Sequence, residues 1–256
     1  MTFSVVIPAH NEEALLGGCL DSVERAARKA GAQVEIIVVL NRCTDGTEGI
    51  AAGRAEIVWE DAPNLSKIRN AGAARATGDV IITIDADSRM AENVFIEVAR
   101  ALEMGRYIGG GMRIKAERYS LGIISSSILV LIPFAIKGIS AGSFWCRLED
   151  FRAIGGFNEN YYTAEDYDFA VRLKAHGKKQ GKKFKTLWRT HIVTSCRKFD
   201  WFGDWFVWKL ILRKPWGLVE GFRGQNRELG NRLWYDTTKY RPPAAGAKTS
   251  RKEAEP

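Results

Sequence analysis

The chain has 256 residues and a mass of 28.6 kDa, which allows one large domain or two small ones, and 46% of its residues are hydrophobic, enough for a buried core. This composition argues against a disordered chain, and the net charge of +8 favours an anionic partner such as a nucleotide diphosphate, nucleic acid or an acidic membrane surface. The four cysteines are scattered without a C-x-x-C pair, which argues against a zinc site and a disulfide scaffold. The N-terminal residues lack the pattern of a signal peptide. We therefore expect a cytoplasmic protein with reduced thiols.

The first third of the sequence alternates strand and helix patterns. Strand patterns cover residues 4–9, 34–40, 56–60 and 80–84, and helix patterns cover residues 12–31, 48–55 and 65–78. Strands that are apolar on both faces and are separated by helices predict a largely parallel α/β sheet. In such sheets ligands bind beyond the carboxyl ends of the strands, so the polar segments after residues 9, 40 and 84 should meet at one edge.

The pattern changes after residue 105. Residues 107–119 are typical of an edge strand, and residues 121–138 hold an apolar stretch of about 16 residues, fewer than the roughly 20 that a membrane span needs. That stretch predicts a buried or interfacial helix. Residues 138–177 then give a strand, a short helix, a loop and another helix.

Two pairs of carboxylates stand out against this pattern. Asp85 and Asp87 follow an apolar strand, and an Asp-x-Asp at a strand end can hold a hard divalent cation together with the oxygens of a diphosphate. Because carboxylates are costly to bury, we expect a positive charge beside them. Glu165 and Asp166 begin a helix pattern, where a carboxylate either caps the helix or acts as a general base toward a substrate hydroxyl.

Several segments together resemble the glycosyltransferases of family 2, which have the GT-A fold. In order and spacing, they are "SVVIPAHNEE", "EIIVVLNRCTDGT", "IRNAGAARATGDVIITIDADS", "GGF" and "AEDYDFAVRL", and "HIVTSCRKF" is similar to a later T-S-x-R segment of the family. The resemblance implies an α/β GT-A fold, with a largely parallel Rossmann-like sheet flanked by helices and an appended acceptor-side region. It also implies a metal-dependent inverting enzyme that uses Mg²⁺ or Mn²⁺ to move a sugar from a nucleotide-diphosphate sugar to a hydroxyl acceptor.

The resemblance also assigns roles to individual residues. The residues implied in nucleotide-sugar binding are Pro8, Ala9, His10, Glu12, Asn41, Asp45, Arg69, Asp85 and Arg197. Asp87 and Asp85 would bind the metal, with His191 as a further candidate ligand, while Asp166 would be the catalytic base and Glu165 would position it or bind the acceptor. Where many relatives have D-D-G-S after the second strand, this chain has Leu40, Asn41, Arg42 and Cys43, so a uridine base is not assumed.

The same reading divides the chain into four parts. Residues 1–105 form the nucleotide-sugar-binding half of a GT-A domain, and residues 106–200 form its acceptor-side half with the catalytic base. Residues 201–240 form an aromatic, basic helical segment, and the composition of residues 241–256 predicts a disordered tail.

The aromatic, basic segment has three open interpretations. On one continuous helix, Trp201, Trp205, Trp208 and Leu212 would form a stripe. The stripe fits an anionic bilayer, which would place the enzyme peripherally at the inner membrane face and suggest a lipid-linked or envelope-polysaccharide acceptor. It equally fits internal packing or a homodimer, whereas the absence of a recognition motif argues against nucleic acid.

Two other functions compete with the transferase. A nucleotidyltransferase can share the sheet and the metal, but "PAHNEE" stands where its glycine-rich phosphate loop is expected. A noncatalytic scaffold on the same fold could lose the carboxylates, yet Asp85, Asp87 and Asp166 are all present. Dehydrogenases and P-loop enzymes are excluded because no matching glycine motif follows a strand, and "GGG" at residues 109–111 is too short to count.

Overall fold

The protein is built around one eight-stranded sheet in the computed structural model, which describes residues 1–213 together with Gly221 and Gly224. The strands are β1 (Thr2–Ala9), β2 (Gln33–Leu40), β3 (Glu56–Trp59), β4 (Val80–Thr83), β5 (Ser88–Met90), β6 (Tyr107–Ala116), β7 (Phe144–Arg147) and β8 (Lys183–Thr194). Their spatial order is β3-β2-β1-β4-β7-β6-β8-β5. The pairs among β1 to β4 are parallel, as is β6 with β8, while β7 and β5 run antiparallel to their neighbours.

Helices cover both faces of this sheet. They are α1 (Leu16–Ala30), α2 (Thr47–Ala51), α3 (Leu65–Arg75), α4 (Val94–Glu103), α5 (Leu121–Lys137), α6 (Leu148–Ala153), α7 (Glu165–Lys179), α8 (Arg197–Phe202) and α9 (Phe206–Arg213). Alternate residues of a strand point to opposite faces, so the strands feed two apolar clusters. One cluster packs under α1 and α4, and the other packs under α3, α6 and α7.

The carboxyl ends of the central strands meet at one edge, as the sequence predicts. The N–H of Asn41, directly after β2, donates to the carbonyl of Ala9 at the end of β1 over 2.8 Å. On the other side of β1, the N–H of Ile84 donates to the carbonyl of Val6 over 3.1 Å, which sets Asp85 and Asp87 beyond the end of β4. The three polar segments therefore share the edge where ligands of such sheets bind.

The prediction of an edge strand at residues 107–119 is wrong. The strand β6 lies inside the sheet, between β7 and β8, and the sheet ends instead at β3 and β5. Glycines at 109–111 allow β6 to lie between β7 and β8. A Cβ at Gly110 would overlap the backbone carbonyl of Lys185 on β8, and one at Gly109 would lie 2.6 Å from Cβ of Cys146 on β7. The short "GGG" run thus serves close strand packing.

The C-terminal elements differ from one continuous aromatic helix. Gly203 has a φ of +85° and ends α8, so Trp201 lies on α8 whereas Trp208 and Leu212 lie on α9. Residues 214–220, 222–223 and 225–256 lie outside the described residues, so the predicted helix up to residue 240 and the predicted tail are not described. Among the described residues, α5 included, the helices are too short or too polar to cross a membrane.

The close approach at Gly110 gives a stability prediction. Gly110→Ala should lower the free energy of unfolding by about 2 kcal/mol or more, because the added methyl group forces β6 and β8 apart. Gly49→Ala is the matched control, since a Cβ there meets nothing within 4 Å. Urea unfolding of both variants measures the difference, and equal stability of the two would contradict the packing role of Gly110.

Candidate active site

Arg69 is a charged side chain on the buried face of α3. The helix begins after Asn64, whose side chain accepts the N–H of Lys67 over 3.1 Å, and its sheet side carries Ile68, Gly72 and Ala73. Arg69 falls on this same side, and its side chain is only 1% exposed. A buried guanidinium requires anionic partners, because burial of an unpaired charge is strongly unfavourable.

Those partners are carboxylates from both predicted acidic pairs. Arg69 donates from Nη2 to Oδ1 of Asp85 over 2.9 Å, and from Nη1 to Oδ1 of Asp166 over 2.9 Å and to Oε1 of Glu165 over 3.2 Å. Residues from the end of β4 and the start of α7 thus meet on one guanidinium. The guanidinium of Arg69 is a positive charge of the kind that the sequence predicts beside Asp85.

Asp166 is held on both of its carboxylate oxygens. Oδ1 accepts from Arg69, and Oδ2 accepts the backbone N–H of Gly142 over 2.9 Å. Burial raises the pKa of Asp166, Arg69 opposes that shift, and the negative charges of Glu165 and Asp85 add to it, leaving a pKa of about 7. A carboxyl group with this pKa is suited to accept a proton near neutral pH.

Glu165 and Asp166 do not cap α7 with their side chains. The N-cap residue is Ala164, which adopts a left-handed conformation with φ of +54° and makes no side-chain capping bond. A non-glycine residue in this region is uncommon, and such residues concentrate at functional sites. The turn at Ala164 leads directly into the two carboxylates that bind Arg69.

A second ion-pair cluster surrounds Asp87. Arg197, the first residue of α8, donates through both Nη atoms to the carboxylate of Glu12, and its Nη2 lies 3.3 Å from Oδ2 of Asp87. Ser88 donates from Oγ to Oδ1 of Asp87 over 3.2 Å. Burial and the neighbouring Asp85 raise the pKa of Asp87, while Arg197 and Lys198 lower it.

The cluster carries an excess of negative charge. Glu12, Asp85, Asp87, Glu165 and Asp166 are its carboxylates, and Arg69, Arg197 and Lys198 are the cations that the described residues bring to them. Burial lowers the pKa of Lys198 to about 8, against the effect of Asp87. With all groups ionised, five negative charges face three positive ones.

This charge balance and the donor set fit a hard divalent cation. Among residues 1–213, Gly221 and Gly224, no three His, Cys, Asp or Glu side chains are placed to hold a metal together. Mg²⁺ and Mn²⁺ bind through one or two carboxylates when water and substrate phosphates fill the remaining positions. Asp85 and Asp87 satisfy that smaller requirement.

His191 lies in a different electrostatic environment. It is a half-buried residue of β8, and burial with the positive charges of Lys115 and Arg113 lowers its pKa. Its backbone carbonyl accepts from Ala91, and the described contacts do not join its ring to Asp85 or Asp87. Its role as a metal ligand stays a prediction.

Some of the residues predicted to bind the nucleotide are buried and hold neighbouring segments of the fold. Asn41 is fully buried, and its amide donates to the carbonyls of Glu60 and Ala62, so its side chain holds the segment after β3. Pro8 and Ala9 are buried at the end of β1. The side chain of Asn41 has no exposed surface with which to read a base.

Other predicted nucleotide residues lie closer to the surface. His10 is half-buried, and its Nδ1 lies 2.6 Å from the carbonyl of Asn41. Asp45 is also half-buried and accepts the N–H of Thr47 over 3.1 Å at the start of α2. Of the two polar residues after β2 that the sequence offers for base contact, Asp45 is the one with accessible surface.

The segment around β7 contributes a backbone contact to the site, while its aromatic side chains are buried. Phe144 and Trp145 are 1% and 0% exposed and belong to the core, so neither offers a surface to a sugar. Gly142 instead contributes its backbone N–H to Asp166, and its φ of +85° favours glycine.

The central role of Arg69 was not predicted from the sequence. The resemblance places Arg69 near the nucleotide, whereas the structure buries it beneath the carboxylates. The helix pattern could have predicted this burial. Arg69 shares a helix face with Ile68, Gly72 and Ala73, and an arginine among small and apolar residues on one face is expected to point into the core.

Comparison with known proteins supports the fold and the family. The family model described as "Glycosyl transferase family 2" matches residues 4–157. S. aureus TarS, solved in complex with UDP-GlcNAc, superposes with a TM-score of 0.59 at 17% identity, covering 76% of this chain and 58% of that one. Glucosyl-3-phosphoglycerate synthase from Mycobacterium tuberculosis, solved with Mn²⁺, UDP and phosphoglyceric acid, gives 0.51 at 18% identity, with 83% and 78% covered. The predicted GT-A fold is confirmed.

The relatives found by sequence are named as bacterial transferases. The chain is 28% identical over 159 residues to an undecaprenyl-phosphate 4-deoxy-4-formamido-L-arabinose transferase of Pseudomonas fluorescens, covering 58% of this chain and 46% of the relative. It is 26% identical over 223 residues to a PGL/p-HBAD biosynthesis glycosyltransferase of Mycobacterium bovis, covering 83% of each. The chain therefore spans about half the length of the first relative.

The buried ion pairs of Arg69 give a second stability prediction. Arg69→Met should lower the free energy of unfolding by about 3–5 kcal/mol, because it leaves buried carboxylates without their counter-ion. Arg75→Met on the same helix is the control, and it should cost less than about 1 kcal/mol since Arg75 is exposed and pairs with Glu56 at the surface. Denaturant unfolding at neutral pH measures both, and equal losses would show that the Arg69 cluster adds no stability.

Proposed function

The chain belongs to glycosyl transferase family 2, and we propose that it moves a sugar from a nucleotide-diphosphate sugar to a hydroxyl acceptor with inversion at the anomeric carbon. The observation that carries this proposal is the Asp85–Arg69–Asp166 arrangement. It sets a carboxylate suited to base catalysis beside the Asp-x-Asp at the ligand edge of the sheet. Proton transfer and leaving-group stabilisation can therefore act on one bound donor.

Asp166 is the catalytic base in this proposal. Its carboxylate takes the proton of the acceptor hydroxyl as the oxygen attacks the anomeric carbon, from the face opposite the departing diphosphate. The N–H of Gly142 and the guanidinium of Arg69 fix both carboxylate oxygens, which limits the orientations that the base can adopt. Glu165 shares Arg69 and acts as a positioning residue for Asp166.

Asp85 and Asp87 are the residues that would hold Mg²⁺ or Mn²⁺. When bound, such an ion would offset the negative charge that accumulates on the nucleoside diphosphate as it leaves. Arg197 and Lys198 lie on the same side of the cluster and supply positive charge toward the phosphates. Asp45 and His10 are the half-buried residues proposed to meet the nucleoside.

The relatives suggest where to look for substrates. TarS was solved with UDP-GlcNAc and the mycobacterial synthase with UDP and Mn²⁺, so UDP-sugars with Mn²⁺ are the first donors to test. Two relatives are named for undecaprenyl-phosphate transfer and for PGL/p-HBAD biosynthesis, which supports an acceptor used in the cell envelope. We place the reaction on the cytoplasmic side, in keeping with four free cysteines.

Product analysis across a panel of nucleotide sugars tests the proposal. Release of a nucleoside diphosphate in the presence of Mn²⁺ is the expected result. Release of pyrophosphate would instead support a nucleotidyltransferase. Absence of metal-dependent binding by every donor in calorimetry would support a noncatalytic scaffold.

The base assignment gives a mutational prediction. Asp166→Asn should lower the transfer rate at least about 100-fold while donor affinity changes little, because the amide cannot accept the proton. Asp168→Asn is the matched control on the same helix, since Asp168 pairs with Arg172 and not with Arg69. Turnover assays and donor calorimetry on the two variants provide the comparison.

Asp87→Asn separates the metal role from the base role. It should weaken both donor binding and turnover, since it removes a carboxylate from the proposed metal site. Near-normal turnover by Asp166→Asn would refute the base assignment. Unchanged Mn²⁺-dependent donor binding by Asp87→Asn would refute the metal assignment.

The raised pKa of Asp166 predicts the pH dependence of the reaction. A base must be ionised to act, and the pKa of Asp166 is about 7 in the folded protein. The transfer rate should therefore rise as pH increases from about 6 to about 8 and then level off. A pH–rate profile at saturating donor measures this, and a rate that is flat across the interval would contradict the assignment.

A further inference from the structure

The outer face of α5 is apolar and exposed. Its exposed large side chains are Leu121, Ile124, Ile128, Leu131, Ile132 and Ile136, with exposed fractions from 40% for Leu131 to 79% for Leu121. They recur at spacings of three and four residues, so they lie along one side of the helix. The opposite side, which includes Ile123 and Phe134, is buried against the domain.

This arrangement differs from that of an ordinary surface helix. A surface helix usually directs its apolar residues to the core and charged residues to water, whereas α5 carries large apolar residues on both sides. Its single charged residue is Lys137, at the last position. A contiguous exposed apolar surface of this kind marks an interaction site.

The helix α9 extends this surface. Nε1 of Trp208 donates to Oγ of Ser125 over 3.0 Å, which sets α9 beside α5 next to Ile124. Trp205, directly before α9, and Trp208 and Leu212 on α9 are 51%, 37% and 79% exposed and follow one another at three and four residues. We call these three residues and the six exposed residues of α5 the α5–α9 face.

The charges around this face favour an anionic lipid surface over other partners. α5 and α9 contain Lys137, Lys209 and Arg213 and no acidic residue, and all three cations are exposed. The acidic residues beside them, Asp200 and Asp204, are both paired with Arg118. Tryptophans beside aliphatic residues and flanking cations suit the boundary between headgroups and acyl chains of an anionic bilayer. With 17 residues and an interior proline, α5 fits a position along that boundary better than a span.

The inner side of α5 contacts the elements that hold Asp166. The ring of Phe134 packs edge-on against Tyr167, next to Asp166, with centroids 5.3 Å apart. Nζ of Lys174 on α7 donates to the carbonyl of Lys137 over 2.6 Å. The loop that leaves α5 reaches Gly142, whose N–H binds Asp166.

We propose that the α5–α9 face docks on the surface of an anionic bilayer and thereby presents Asp166 to an acceptor located at that membrane. The acceptor part rests on the proposed function, whereas the docking does not. The docking surface itself consists of the outer sides of α5 and α9. The inner side of α5 contacts α7 and leads into the loop that binds the proposed catalytic base, Asp166.

Vesicle flotation of the full chain tests the docking. The chain should float with vesicles of phosphatidylcholine containing phosphatidylglycerol, and less with phosphatidylcholine alone or at high salt. Ile128→Ser with Ile136→Ser should reduce the partition coefficient about tenfold or more. The matched control is Trp59→Ser with Trp188→Ser, two exposed tryptophans outside α5 and α9, which should float like the parent chain.

The remaining outcomes overturn the proposal. Failure of the parent chain to float, or equal flotation of both double variants, would remove the docking surface. A parent dimer that the Ile128→Ser, Ile136→Ser variant converts to monomer, without vesicle binding by either, would assign the face to a second copy of the chain. Because the substituted residues are exposed, thermal unfolding of both double variants should match the parent.

A parallel assay of donor hydrolysis separates this proposal from the proposed function. The Ile128→Ser, Ile136→Ser variant should release nucleoside diphosphate from the donor in solution at the parental rate, because water serves as acceptor there. Flotation without any donor turnover would refute the proposed function and leave the docking surface in place. Turnover without flotation would refute the docking alone.

Discussion

The site depends on one buried guanidinium. Arg69 binds carboxylates of Asp85, Glu165 and Asp166, and its charged end lies 5.0 Å from the centre of the Phe157 ring. Neither side of this arrangement is stable alone, because an unpaired buried arginine and unpaired buried carboxylates are each strongly unfavourable. The end of β4, the middle of α3 and the start of α7 are therefore fixed relative to one another.

The sheet supplies the geometry that this ion cluster needs. Gly72 brings α3 close to β1 and β2, since a Cβ there would lie 2.5 Å from Val6 and 2.7 Å from Val39. β7 pairs with β4 in the antiparallel sense, which returns the chain so that the loop before β7 lies at the same edge as Asp85. From there Gly142 reaches Asp166. Backbone packing thus places both contacts of the proposed base.

The sequence alone predicts the location of a site residue where the residue type and its position at a strand end point to the same role. Asp85 and Asp87 follow an apolar strand in an alternating α/β pattern, so their location and the need for a nearby cation followed from the cost of burying carboxylates. The interior position of β6 could not be read in the same way, because the Gly109–Gly111 run has meaning only once β7 and β8 lie against it. Asn41 illustrates the same limit: its sequence position suits ligand contact, and only the fold shows its amide bound to Glu60 and Ala62.

The two arginines of the site differ in how firmly the fold holds them. Arg69 is 1% exposed and belongs to a helix packed on the sheet, whereas Arg197 is 24% exposed and begins a six-residue helix that contains no buried residue. Arg69 is therefore part of the core packing, whereas Arg197 joins Asp87 and Glu12 from a helix that the core does not bury. For the proposed reaction this difference matters, because the base at Asp166 is oriented before substrates bind. Asp87, by contrast, is paired with an arginine that is more exposed.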